Sequence, residues 1–389
     1  MKKILANIGI ALCLLLAFGA YVYLFQTTSH STETRPAAAL KDSGDKILDS
    51  IRRGADFLER HQEADGHFSK GWADPKPAFT ALIVDALARS PEKFREQEHP
   101  FLRKAALAIV AKQQPNGSLC TPVMSLDTYS TAMSVMALTA LENPEHRAAI
   151  DKAVAFLRSV QYQDDEERNP NFGAPGYNLG GRTSGDMTAN WIEAMKAAGV
   201  KEDDAAFKNA QKFFSRLQNN AETNDRPAAG TAAGTDGGFF YRPGESKPAD
   251  ELKNGKRILK SYGLMSYAGL KSFLYMNVPK DDPRVASAYR WVRENYTLDE
   301  NRNLGPDGLF YYYMAMAKAL AAYGESTITS ADNAQHVWAV ELSDKIISLQ
   351  DADGSWHNKQ SSRWSEDDPV MVTAFAIRTL SICHGEGKK

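Results

Sequence analysis

Six glycine turns constrain the fold of this 389-residue chain more than any other feature of its sequence. Each turn follows a stretch with helical periodicity, and most follow a glutamine. The turns lie about 46 to 71 residues apart, a spacing that fits a repeat of two helices joined by loops of variable length. Their glycines are Gly66, Gly117, Gly173, Gly237, Gly308 and Gly354.

The residues on either side of each turn predict two kinds of helix. The helix before a turn is amphipathic, as at Ile47, Ile51, Ala55 and Leu58. The helix after it is apolar and rich in alanine, as in residues 79–87, 131–138 and 372–380. A helix that is apolar on most faces is buried, so the second helices should form an inner ring. We therefore predict an all-α, α6/α6 toroid over residues 45–385, closed so that no repeat end is exposed.

The N-terminus predicts export. Lys2 and Lys3 precede an apolar run from Ile4 to Phe25, long enough for the ~20 residues of one membrane crossing. Lysines on the inner side direct the rest of the chain outward. We therefore predict a signal or transmembrane anchor over residues 1–25 and a flexible tether over residues 26–44. The toroid would then be extracytoplasmic and held at the membrane, or secreted if the segment is a cleaved signal peptide.

Composition narrows the classes of function. The formal net charge is -2, so no basic field is present to attract nucleic acid. The three cysteines, Cys13, Cys120 and Cys383, are too few for a disulfide scaffold. No CxxC or HExxH spacing occurs, so we predict neither a metal site nor a cofactor.

One turn carries a family motif. Residues Gln350 to Trp356 match Gln-x-x-x-Gly-x-Trp, the QW motif of squalene and oxidosqualene cyclases, and residues 62–68 and 113–119 look like degenerate copies. Over residues 45–385 the chain resembles the squalene cyclase/prenyltransferase-repeat superfamily. The resemblance implies a terpenoid cyclase-like α/α toroid whose inner helices enclose a cavity. It also implies an isoprenoid or other hydrophobic small molecule as the ligand.

The resemblance also implies a catalytic acid. In class II terpene cyclases this acid is the middle Asp of Asp-x-Asp-Asp-Thr-Ala, and the nearest match here is residues 184–189, with Asp186 in the proton-donor place. Asp127 opens a second candidate at residues 127–132 and is expected to help set the charge state of Asp186. The alternative is that Asp127 and Asp186 are helix caps.

Aromatic and polar residues are expected at the mouth of the toroid, where aromatic ring faces could shelter a cation. The candidates for ligand binding are Tyr129, Tyr262, Tyr311, Tyr312, Tyr313, Trp364 and Asp368. The plainer interpretation of the three consecutive tyrosines is that they are core and rim aromatics. Residues 219–238 and 243–260 together form the longest insertion, which is a candidate lid over the cavity.

Three functions remain open from the sequence. The first is a terpenoid cyclase/prenyltransferase-like protein that binds or transforms a hydrophobic ligand, with protonation by Asp186; it predicts an aromatic cavity. The second is a non-catalytic extracytoplasmic repeat scaffold for protein contacts, which predicts a plugged centre. The third is a carbohydrate-active α/α-toroid enzyme, which predicts a wet groove with two facing acids.

Overall fold

The computed structural model describes residues 37–68, 76–121 and 126–387. Residues from Gly44 onward belong to one compact unit. The described residues form twelve α-helices: α1 Ala37–Arg60, α2 Lys76–Ala88, α3 Pro100–Val110, α4 Asp127–Ala140, α5 Arg147–Ser159, α6 Gly185–Ala197, α7 Ala205–Leu217, α8 Gly263–Tyr275, α9 Pro283–Glu294, α10 Leu309–Tyr323, α11 Trp338–Ser348 and α12 Pro369–Glu386. The predicted helical class is confirmed.

The predicted anchor lies outside the described residues. Within the part of the chain that the structure describes, no helix is both long and apolar enough to cross a membrane. The anchor, its orientation and the export that it implies therefore stay predictions.

The even-numbered helices form a closed inner ring. Each contacts the next in the order α2, α4, α6, α8, α10 and α12, and α12 contacts α2. The odd-numbered helices α3, α5, α7, α9 and α11 pack outside them. Helix α1 also lies against the ring, since a Cβ at Gly54 would stand 3.1 Å from Ile377 of α12. Burial agrees with this division, because twelve of the fifteen residues of α10 are buried but only five of the thirteen in the outer helix α5. The predicted toroid therefore closes on itself.

The glutamine before a turn joins neighbouring repeats. Nε2 of Gln218 donates to the carbonyl of Gly237 at 2.9 Å and to that of Arg284, in the next outer helix, at 2.8 Å. The same pair of bonds is made by Gln62, Gln113, Gln161 and Gln350. A side-chain amide that satisfies two backbone carbonyls in different repeats explains why glutamine recurs at this position.

The turn glycines lie against the next outer helix. At Gly237 the backbone φ is +86°, and a Cβ would stand 2.3 Å from the carbonyl oxygen of Ser287. At Gly354 it would stand 2.4 Å from that of Arg53. Side chains do not tolerate contacts this short, so only glycine allows the repeats to approach so closely. The fifth glycine turn, at Gly308, lacks the glutamine, as the sequence indicates.

Short strands and turns occupy the longer loops. Strands β1 Thr231–Ala232, β2 Glu251–Lys253 and β3 Lys256–Ile258 form a sheet in which β3 is central, parallel to β1 and antiparallel to β2. Strands β4 Ile328–Thr329 and β5 Gln335–His336 form an antiparallel pair. Single 3-10 turns occur at Pro144–His146 and Arg363–Ser365. Strands of two or three residues are too short to show the alternation that would reveal them in a sequence.

Candidate functional site

A cavity of about 340 Å³ lies at the end of the barrel where the inner helices begin. Its volume is at the small end of the range for ligand pockets, roughly 300–1,000 Å³. We call it the aromatic cavity, because eight aromatic side chains line it: Phe79, Tyr129, Tyr177, Tyr241, Tyr262, Tyr311, Trp364 and Phe375. The other lining residues are Leu126, Asp186, Lys247, Leu264, Gly308, Ser365, Glu366 and Met371.

The structure brings five of the predicted site residues together. They lie on helices α4, α6 and α10 and on the loops before α8 and α12, so they come from five different repeats. These residues are Asp186, Tyr129, Tyr262, Tyr311 and Trp364. Their convergence follows from ring closure, because every inner helix begins at the same end of the barrel.

The two other predicted aspartates lie elsewhere. Asp127 is the first residue of α4 and does not line the cavity. It is also not among the main groups that shift the pKa of Asp186. Asp368 is the N-cap of α12, where its carboxylate accepts a hydrogen bond from the amide of Val370 at 2.8 Å. That bond gives Asp368 a capping role.

Two of the three consecutive tyrosines face away from the cavity. The hydroxyl of Tyr312 donates to the carbonyl of Thr297 at 2.8 Å, and that of Tyr313 to the carbonyl of Leu298 at 2.6 Å. Successive residues of a helix point about 100° apart, so the three tyrosines do not share one face. Tyr312 and Tyr313 therefore follow the plainer interpretation, as core aromatics.

Asp186 is the candidate acid of the cavity. It is the second residue of α6, whose N-cap is Ser184, so the cap does not need the Asp186 carboxylate. Its Oδ1 atom is buried and has no hydrogen-bond partner among the described residues. Burial raises the pKa of Asp186, and Ser184, the Met187 amide and Lys247 offset that effect in part. Burial in this aromatic wall thereby favours the protonated form of the carboxyl.

Hydroxyl groups surround this acid. The Tyr177 hydroxyl lies 2.9 Å from Oγ of Ser184 and 3.3 Å from the hydroxyl of Tyr241. Burial, and then the nearby Asp186, raise the pKa of both tyrosines, so both stay neutral and can donate or accept a hydrogen bond. The ammonium of Lys247 stands 3.6 Å from the centre of the Tyr241 ring.

The second carboxyl of the cavity, Glu366, has hydrogen bonds at both oxygens. The amides of Tyr311 and Phe310 donate to it at 2.8 and 3.3 Å, and the Asn358 side chain at 2.9 Å. Burial raises the pKa of Glu366, and these donors lower it in part. The carboxyl caps α10, whose own N-cap residue is Gly308 and offers no side chain. Glu366 is thus positioned by the fold.

Several cavity residues were missed from the sequence. Glu366 could have been found, because it stands just ahead of an inner helix, close to the place that Asp186 takes at the start of α6. Tyr177 and Lys247 lie on irregular loops, where no periodicity marks them. Lys247 lies in the second segment of the long insertion, and Tyr241 lies between its two segments. The insertion therefore contributes to the wall of the cavity, and its role as a lid stays a hypothesis.

Charged side chains, four of them buried, close the barrel below the cavity. We call them the charged floor: Asp85, Arg89, Glu193, Lys271, Lys318 and Arg378. Nζ of Lys271 and Nζ of Lys318 lie 2.7 and 2.8 Å from the two oxygens of Glu193. Burial alone would raise the pKa of Glu193, but the two lysines outweigh it and hold that pKa well below its usual range. Burial lowers the pKa of Lys318 to about 8.

No metal centre accompanies these features in the part of the chain that the structure describes, where no group of three or more His, Cys, Asp or Glu side chains could hold an ion. Cys120 and Cys383 are buried and unpaired with each other.

Comparison with known proteins agrees with the fold. The family model of the squalene-hopene cyclase C-terminal domain matches residues 72–242. None of the curated proteins matches the chain by sequence. Among solved structures, the type II terpene cyclase MstE from Scytonema, in complex with merosterolic acid A, has a TM-score of 0.54 at 11% identity, over 89% of this chain and 99% of that one.

Two further structures show how widely the architecture is used. Protein geranylgeranyltransferase-I from Candida albicans, complexed with GGPP, has a TM-score of 0.53 at 15% identity, over 85% of this chain and 90% of that one. The GH76A α-1,6-mannanase from Salegentibacter sp. HEL1_6 has a TM-score of 0.54 at 9% identity, over 88% and 99%. At these identities the likeness concerns the fold. The predicted resemblance is confirmed, and the chain carries the terpenoid cyclase-like α/α toroid of the squalene cyclase/prenyltransferase-repeat superfamily.

Proposed function

We propose that this protein is a terpenoid cyclase-like enzyme that binds an isoprenoid or other hydrophobic ligand in the aromatic cavity and protonates it from Asp186. One observation carries the proposal: the Asp186 carboxyl is buried in an aromatic wall, with its Oδ1 atom free of any hydrogen bond from the described residues. A carboxyl oxygen without a hydrogen-bond partner is available to a ligand. The predicted membrane anchor belongs to the same proposal, because it would hold the cavity near membrane-dissolved substrates.

The chemistry is a proton transfer to a carbon–carbon double bond. The O–H bond of Asp186 breaks, the π electrons form a C–H bond, and a carbocation remains on the neighbouring carbon. Ser184, the Met187 amide and Lys247 favour the aspartate anion, since each lowers the pKa of Asp186. The ring faces of the cavity favour the cation. Loss of a proton from a carbon next to the final cation gives a neutral product and restores the acid.

The alternatives receive less support from the site. A glycosidase needs two carboxyls free to act, but both oxygens of Glu366 are bonded to backbone and side-chain donors. A non-catalytic scaffold predicts a plugged centre. The barrel is plugged only at the charged floor, since its other half encloses a cavity of about 340 Å³. The mannanase comparison shows that this fold also serves sugar chemistry, so the lining of the cavity, more than the fold, favours a hydrophobic ligand.

The test is incubation of the purified full-length protein with extracted membrane lipids, followed by mass spectrometry of bound and converted material. We expect recovery of an isoprenoid and its conversion by the wild type. Asp186→Asn should still bind it but lose turnover by about 100-fold or more, the contribution of a positioned general acid.

The matched control is Asp203→Asn, an exposed aspartate on the loop before α7, which should keep wild-type turnover. Wild-type turnover by Asp186→Asn would end the proposed role of that residue. Recovery of background lipid alone would end the proposed ligand class.

A further inference from the structure

The long insertion places a lysine at the mouth of the aromatic cavity. Lys247 lines the cavity together with Asp186, and its ammonium lies over the Tyr241 ring. The Lys247 side chain is 21% exposed, which places it at the solvent end of the cavity. A ligand made only of hydrocarbon would displace water from this ammonium without offering a hydrogen bond or a counter-charge. Desolvation of the ammonium would then be uncompensated, which is unfavourable.

The charge around Lys247 is unbalanced. Glu245 lies 3.4 Å from Nζ of Lys247, but the guanidinium of Arg242 binds the same carboxylate through Nε at 2.7 Å. The exposed Arg182 lowers the pKa of Tyr241 in small part and makes no ion pair with any described residue. Lys247 and Arg242 therefore share the carboxylate of Glu245, and Arg182 adds a third positive charge that pairs with no carboxylate of the described residues. The positive charge at the mouth exceeds what Glu245 can balance, which favours an anion there.

Neutral hydroxyls lie beside these cations. Tyr177 and Tyr241 line the cavity, and their hydroxyls are linked to each other and to Ser184. The hydroxyl hydrogen that these two links leave unused can turn toward an incoming oxygen atom. Cations next to hydroxyl donors are the usual means of binding a carboxylate or a phosphate, because hydrogen bonds to a charged oxygen are stronger than those to a neutral one. The aromatic walls below them suit an apolar chain.

We propose that the mouth of the aromatic cavity is a subsite for an anionic head group, a carboxylate or a phosphate, held by Lys247 beside Tyr241 and Tyr177. This inference rests on the proposed function and specifies its ligand: an anionic isoprenoid amphiphile in place of a plain hydrocarbon. With the head at the mouth, the chain extends along the cavity wall past Asp186.

The test compares three ligands with the same hydrocarbon chain: geranylgeranoic acid, geranylgeranyl monophosphate and the neutral alcohol geranylgeraniol. Each is titrated into the full-length wild type, Lys247→Met and Lys247→Arg, with intrinsic fluorescence of the cavity aromatics as the signal. The wild type should bind one anionic ligand at least about tenfold more tightly than the alcohol. Lys247→Met should lose that preference and Lys247→Arg should keep it, with affinity for the alcohol unchanged in both.

The control is Lys253→Met, an exposed lysine at the end of β2 that does not line the cavity. It should behave as the wild type. Whichever of geranylgeranoic acid and geranylgeranyl monophosphate binds the wild type more tightly identifies the head group. Added salt provides a measurement on the wild type alone, because it should weaken binding of the anionic ligand and not of the alcohol.

Equal affinity of the wild type for all three ligands, or an unchanged preference in Lys247→Met, would overturn the subsite and leave the proposed function standing. Failure of all three ligands to bind the wild type would count against the proposed function itself.

Discussion

The aromatic cavity and the charged floor are built by the same inner helices, yet they treat buried carboxyls in opposite ways. In the floor, Glu193 has a lysine at each oxygen. In the cavity, Asp186 has an oxygen without a partner. A carboxyl whose charge is fully compensated contributes to the cohesion of the barrel, whereas one with an unbonded oxygen and a raised pKa is available for chemistry. The surroundings of each group, more than its residue type, indicate its role.

Helix direction adds to this difference. All the inner helices begin at the cavity and end toward the floor. A helix carries a partial positive charge at its N-terminus and a partial negative charge at its C-terminus. Asp186, in the first turn of α6, would therefore have its anion stabilised once the proton has left. Arg89, just beyond the end of α2, is stabilised as a cation at the other end.

The largest expected effect is on the charged floor. Glu193→Gln leaves Lys271 and Lys318 buried without their counter-charge, and we expect a loss of about 3–5 kcal/mol in the free energy of unfolding. The two lysines hold the pKa of Glu193 low, so its contribution is present above the unfolded value of about 4.3 and is lost as the pH falls below it. Denaturant unfolding at several pH values measures both effects.

The control for this change is Glu202→Gln, which removes a partly exposed ion pair with Lys196 and should cost at most about 1 kcal/mol. If Glu193→Gln proves as stable as Glu202→Gln, the floor does not hold the barrel together in the way described.

A smaller effect of opposite sign is expected in the cavity. Asp186→Asn should raise the free energy of unfolding by about 0.5–2 kcal/mol, as is common when a strained functional group is relieved. Because the pKa of Asp186 is raised, the carboxyl costs nothing below the unfolded value of about 3.9. The cost grows as the pH rises and the unfolded chain ionises first, so the gain from the variant should widen with pH.

Asp282→Asn is the matched comparison, because hydrogen bonds from Arg284 lower the pKa of Asp282 in the folded protein. This variant should lose stability near neutral pH. A loss of stability in both variants would contradict the distinction between the hydrogen-bonded carboxyl of Asp282 and the carboxyl of Asp186, which has an unbonded oxygen.

The smallest expected effect separates neighbouring tyrosines. Tyr312→Phe removes a hydrogen bond to the carbonyl of Thr297 and should cost about 0.5–1.5 kcal/mol of stability. Tyr311→Phe should cost less, since its hydroxyl pairs at 3.1 Å with the Asn190 side chain beside the cavity. Ligand affinity should fall more in Tyr311→Phe than in Tyr312→Phe, because only Tyr311 lines the cavity. Thermal unfolding and ligand titration of both variants provide the check, and equal responses would contradict the assignment of Tyr311 to the cavity.

The sequence could predict the parts of the fold in which the same local pattern recurs in each repeat. The glycine turns require a positive φ, and the glutamine before them completes the same pair of hydrogen bonds at five of the six corners. Each repeat therefore carries its own signal. The short strands of the insertion carry none, because a strand of three residues has no measurable periodicity.

The site was predictable only where it coincides with the start of an inner helix. Asp186, Tyr129 and Tyr311 occupy such positions, and ring closure brings them together. Tyr312 and Tyr313 share the same segment, but helix geometry turns them away from the cavity. Lys247 and Tyr177 come from loops whose course depends on tertiary contacts, so their position could not be inferred from neighbours in the chain.

The bond between Gln350 and Ser50 has a consequence for the whole molecule. In an open array of repeats, the outermost unit touches a single neighbour and can peel off first. Here the sixth repeat is fastened to the first, so neither is outermost and unravelling has no preferred starting place. Stability is thereby shared around a circle, and damage at any one corner weakens the structure as a whole.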